Sequence, residues 1–92
     1  MRDTRSEAFS LVQRAIHILL GNYEGDLAEA ESCLLKALEL DPDSLEALQE
    51  AAHFFDAVMP DPAKATDYAL RCRERALKVT AEMNEILLQD SN

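Results

Sequence analysis

Tryptophan is absent, and aromatic residues make up only 5% of the chain. Two glycines and three prolines among 92 residues exclude collagen-like and low-complexity classes, which depend on far more of both. Cysteine is equally sparse: Cys33 and Cys72 lie far apart with no CxxC spacing, so nothing suggests a disulfide scaffold or a thiolate metal site. Each sits inside a helical apolar pattern, and buried free thiols are expected. Apolar runs such as Ile18-Leu19-Leu20 fall far short of the ~20 residues that span a bilayer. The charged start, Met1 to Glu7, lacks the basic region followed by an unbroken apolar stretch that marks a secretory signal. A cytoplasmic location is the expectation. Cations are also in short supply, with 9 Lys+Arg against 18 Asp+Glu and a formal net charge of −9. That balance disfavours nucleic acid and anionic membrane as partners, because both are bound through excess positive charge.

What is present is helical periodicity. Thr4-Arg5-Ser6-Glu7 has the pattern of a capping box. Ala8, Val12, Ala15, Ile16 and Leu19 then recur at spacings of three and four, which sets them on one face of a helix over about 5–20. Gly21-Asn22 is its stop signal. Asp26 caps a second helix with Leu27, Ala30, Leu34, Ala37 and Leu38 on its inner face, ended by Asp41-Pro42. Asp43-Ser44 opens a third, with Leu48, Ala51, Ala52 and Phe55 inward. Met59-Pro60 breaks it, and Asp61-Pro62 starts a fourth. No helix breaker follows, so the fourth helix is expected to reach about residue 89. No segment has strand periodicity, and the chain is all-α.

The sequence also repeats itself. Gln13-Arg14-Ala15-Ile16-His17 returns as Gln49-Glu50-Ala51-Ala52-His53, 36 residues on. The second helices align at a displacement of 35, Asp26 with Asp61, Ala30 with Ala65 and Ala37 with Cys72. A hairpin with one apolar stripe per helix cannot bury those stripes alone, whereas two stacked hairpins can. At residues 25–44, Gly25-Asp26-Leu27-Ala28-Glu29-Ala30, Leu34 and Lys36-Ala37-Leu38-Glu39-Leu40-Asp41-Pro42-Asp43-Ser44 resemble the second helix and linker of a tetratricopeptide repeat. Ala30 and Ala37 stand where that family places small residues, Leu34 where it places a large one, and Pro42 where it places its proline. Leu48, Ala51, Ala52 and Phe55 continue the resemblance into the next helix. It implies one domain over residues 1–92, a superhelix of two antiparallel helix pairs. Repeat 1 covers about 5–42, repeat 2 about 43–79, and the elongated last helix adds an extension at 80–89. The second repeat departs from the pattern, with Ala69 and Arg73 in place of a large residue and Leu.

In the family the first helix of each repeat lines a concave groove, so the resemblance implies a protein partner, a peptide or a helix, bound there. The groove positions are Ser10, Gln13, Arg14, His17 and Leu20 in the first repeat and Glu46, Gln49, Glu50, His53 and Asp56 in the second. Gln13, Arg14, His17, Gln49, Glu50, His53 and Asp56 are the candidate partner contacts. The plainer reading of the same residues is a solvated polar face. Clamping a partner's terminal carboxylate is disfavoured beside Glu46, Glu50 and Asp56, because like charges repel. Two histidines on neighbouring helices about 10 Å apart do not share a metal ion, so no metal or other cofactor is expected.

Charge is segregated along the chain. Residues 26–58 hold nine acids against Lys36 alone, while residues 59–79 hold five cations against three acids. Asp67 with Arg71 and Glu74 with Lys78 are spaced to pair across one helical turn. In the last helix Ala76, Val79, Met83 and Ile86 form a stripe with Leu87 and Leu88 beside it. Two repeats are too short to cover it, so Val79, Met83, Ile86 and Leu87 are candidates for contact with a partner helix or a second copy, a homodimer. The alternatives are folding back on the first helix and fraying. No phosphate loop, HExxH or nucleophile with its base is present, and no enzyme activity is expected. A small export-type chaperone holding an amphipathic helix is the alternative binding role. A histidine phosphotransfer bundle is the alternative from another class.

Overall fold

The computed structural model describes residues 4–90. It contains α1 (Thr4–Leu19), α2 (Leu27–Leu40), α3 (Leu45–His53, continued by a π-helical turn at Phe54–Val58) and α4 (Pro62–Asp90). The described residues contain no strand, and the fold is all-α. None of these helices is long and apolar enough to cross a membrane.

Local chemistry explains the boundaries. Asp26 Oδ1 accepts from the Glu29 N–H at 2.9 Å, Ser44 Oγ from Ala47 at 3.2 Å, and Asp61 Oδ1 from Lys64 at 3.3 Å. Each bond satisfies an amide that the first turn leaves without a helical partner. At the end of α1, Gly21 takes φ 81°. The Asn22 N–H donates to the His17 carbonyl at 2.9 Å and the Gly21 N–H to Ile18 at 3.1 Å, the paired bonds of a Schellman stop. The helix opens at Thr4, the residue expected to cap it, one residue ahead of the expected start.

Each successive pair of helices runs antiparallel. Arg14 of α1 meets Glu29 near the start of α2 at 3.7 Å, while Ser6 and Glu7 share a hollow with Lys36 further along it. Phe55 stacks on Tyr68 with centroids 5.8 Å apart, while Leu48 shares a hollow with Arg71 and Arg75. Helix α3 packs against both α1 and α2 and so joins the two pairs. The core is built from Val12, Ala15 and Ile18, from Ala30, Cys33, Leu34, Ala37 and Leu38, and from Leu48, Ala51, Phe54 and Phe55, with Ala8 and Ala47 filling its edges. Alanines at the close crossings let the helix backbones approach. Cys33 is a buried free thiol as expected, whereas Cys72 is half-buried. Ala52, expected on the inner stripe, is half-buried too.

Helix α4 contributes no fully buried residue; Ala65, Tyr68 and Cys72 are half-buried against the core. It is continuous to Asp90. At about 1.5 Å per residue, its 29 residues outrun the 14 of α3 and the π turn by more than 20 Å. The π turn shifts the frame where α3 ends. The Met59 N–H reaches back five residues to the Phe54 carbonyl at 2.9 Å, so Met59 packs on the core and Val58 is left exposed.

Candidate functional site

One face of α1 forms a hollow of about 610 Å³, lined by Phe9, Ser10, Leu11, Gln13, Arg14, His17 and Tyr23. Residues four apart on a helix share a face, which aligns Phe9, Gln13 and His17 along it. The α1 stop then swings Tyr23 back over the end of that row. The His17 ring lies 4.8 Å from the Tyr23 ring at 38°, and Asn22 Nδ2 donates to His17 Nδ1 at 3.2 Å. With its carbonyl also taken by Asn22, His17 is built into the helix end and presents one edge to the hollow. Arg14, paired with Glu29, remains more than half exposed.

The second set of expected contacts lies elsewhere. His53 and Asp56 line a hollow of about 310 Å³ between α3 and α4, with Ala52, Ala65, Thr66 and Ala69. Gln49 is exposed and Glu50 half-buried, and neither lines these two hollows. The structure therefore groups Gln13, Arg14 and His17, and separately His53 and Asp56, instead of joining all seven. His17 and His53 line different hollows, and the described residues hold no cluster of three or more His, Cys, Asp or Glu with metal-holding geometry.

Phe9, Leu11 and Tyr23 are the hollow's apolar contribution, and the sequence reading did not single them out. Phe9 was detectable, since it precedes Gln13 by one turn on the same face. Tyr23 was not, because its position depends on the backbone reversal after Leu20. Together the side chains offer two aromatic surfaces, an amide and a guanidinium. That composition suits an apolar side chain flanked by hydrogen-bonding backbone.

On α4, Val79 is half-buried, while Met83, Ile86 and Leu87 are 47%, 51% and 63% exposed. They continue the face that packs on α3 through Ala65, Tyr68 and Cys72, past the point where α3 begins. The helix is unbroken through this stripe to Asp90. On its flank, Arg71, Arg75 and Lys78 share a hollow of about 180 Å³ with Pro42 and Asp43. Asp67 pairs with Arg71 at 3.7 Å as expected, but Glu74 and Lys78 form no such pair and instead line that hollow together. No protein-family model matches this chain, and no solved structure matches it significantly.

Proposed function

We propose that this chain is a tetratricopeptide-type module that binds a segment of another protein and performs no chemistry of its own. The observation that carries this reading is the α1 hollow, where Phe9 and Tyr23 flank Gln13, Arg14 and His17 on α1 and the turn that follows it. A pocket that mixes aromatic faces with a few placed polar groups favours a peptide over a charged metabolite. The repeated helix pairs, with Val12, Ala15 and Ile18 matching Leu48, Ala51 and Phe54 at a displacement of 36, all buried, support the stacked-hairpin architecture of that family. A role as adaptor, co-chaperone or assembly factor in the cytoplasm follows from this reading. A chaperone that holds an amphipathic helix is the second reading, favoured by the exposed stripe on α4.

Selection of peptides from a random display library on the full chain tests the proposal. Binders are expected to perturb the backbone amide resonances of Phe9, Gln13, His17 and Tyr23, and Phe9→Ala should weaken them about tenfold, the loss of one buried aromatic anchor. Binders that perturb only α4, or none at all, would overturn it in favour of the second reading or against both.

A further inference from the structure

The bare half of α4 carries two parallel stripes. The apolar one runs through Val79, Met83 and Ile86, and it prolongs the face that α3 covers earlier in the helix. Beside it, at the same alternating spacing of four and three, run Arg71, Arg75, Lys78, Glu82 and Glu85. Charge along this second stripe changes sign once, from cations before Val79 to acids after it. Arg71 is held by Asp67 at 3.7 Å. Arg75, Lys78, Glu82 and Glu85 make no ion pair with any described residue.

We propose that this face binds a second copy of the same chain, with the two α4 helices antiparallel across a twofold axis near Val79 and Met83. When two helices pack in opposite directions, a given flank of one faces the same flank of the other, reversed. Setting Val79 against Met83 of the second copy then brings Lys78 and Arg75 beside that copy's Glu82 and Glu85, and the symmetry repeats the contact. The parallel arrangement would set this flank against the opposite one, Leu77, Thr80, Asn84 and Leu87, where it meets no complementary charge, and this selects the antiparallel one. The 12 residues from Val79 to Asp90 give roughly 18 Å of helix at about 1.5 Å per residue. That is small beside a standard stable interface, so the dimer forms in the micromolar range. A net charge of −9 on each copy opposes association at low salt. At physiological ionic strength a Debye length of about 8 Å screens that long-range repulsion more than the close contacts. The inference concerns α4 alone and is independent of the α1 hollow.

Sedimentation equilibrium of the full chain at physiological ionic strength, over about 5 to 500 µM, provides the test. The wild type is expected to dimerise, and Met83→Glu, at an exposed position, should yield a monomer with an unchanged circular dichroism spectrum. Arg75→Glu with Lys78→Glu in one variant, and Glu82→Lys with Glu85→Lys in another, should each weaken self-association at least about tenfold through like-charge contact. Mixing the two variants should restore dimers, since every opposed pair then has opposite signs. A monomeric wild type at the top concentration overturns the proposal and leaves the stripe to a helix of another protein. Dimers that survive both charge reversals, or Met83→Glu, overturn it as well.

Discussion

Helices α2 and α4 occupy equivalent places in the two helix pairs and are buried very differently. Helix α2 is about half the length of α4 and supplies five buried residues, while no described side chain of α4 is buried. Both begin with a capping aspartate and both carry an apolar stripe. The difference is neighbours: α2 lies between α1 and α3, whereas α4 packs mainly on α3 and the π turn. Amphipathic patterning marks which face a helix can bury, but the number of neighbouring elements decides how much of it is buried. The aligned pair Leu34 and Ala69 shows this directly, the first fully buried and the second exposed.

Substitutions on the two helices measure that contrast. Leu34→Ala, at a side chain 1% exposed, should lower unfolding stability by about 2–5 kcal/mol through lost burial and a residual cavity. Leu77→Ala, at 62% exposure on α4, should stay within about 0.5 kcal/mol. Urea denaturation monitored by circular dichroism reads both, and equal losses would break the comparison. Gly25→Ala comes next. A Cβ there would lie 2.8 Å from a Glu29 carboxylate oxygen and 3.0 Å from Ile18 Cδ1, at φ 156°, so a loss of about 1–3 kcal/mol from overpacking is expected in the same assay. The smallest effect concerns the caps. Asp26→Ala should cost about 1 kcal/mol of global stability. Asp61→Ala, whose bond to Lys64 is longer at 3.3 Å, should cost less, and a larger loss there would show that α4 is more firmly anchored than its burial indicates.

Much of the fold was legible because its punctuation is local. Asp26, Ser44 and Asp61 act within three residues of themselves, and Gly21 within five, so their geometry follows from adjacent sequence. The core positions Val12, Ala15, Leu34, Leu48 and Ala51 followed from spacing alone. Ile18 and Phe54 are core residues that spacing did not mark, although they stand 36 positions apart, the displacement that relates Val12 to Leu48. Spacings of three and four mark a narrow stripe, whereas a helix wedged between others buries a wider arc. The π turn escaped notice because no composition signal distinguishes its extra residue from an ordinary helix end. The α1 hollow was only half visible. Gln13, Arg14 and His17 share a helix face by periodicity, but Tyr23 joins them through a chain reversal whose direction is tertiary. The separation of His53 and Asp56 from that group arises for the same kind of reason, since they open toward α4 and not toward α1.

The widened turn at Phe54–Val58 acts like a single extra tooth in a gear. A residue added to a helix advances its heading by about 100°, so the surplus amino acid sets the bearing at which Pro60 and Pro62 launch the final rod. Deleting Ala57 would return the ladder to its usual pitch and rotate everything downstream. Tyr68 would then no longer meet Phe55, and a different side of the rod would face the solvent.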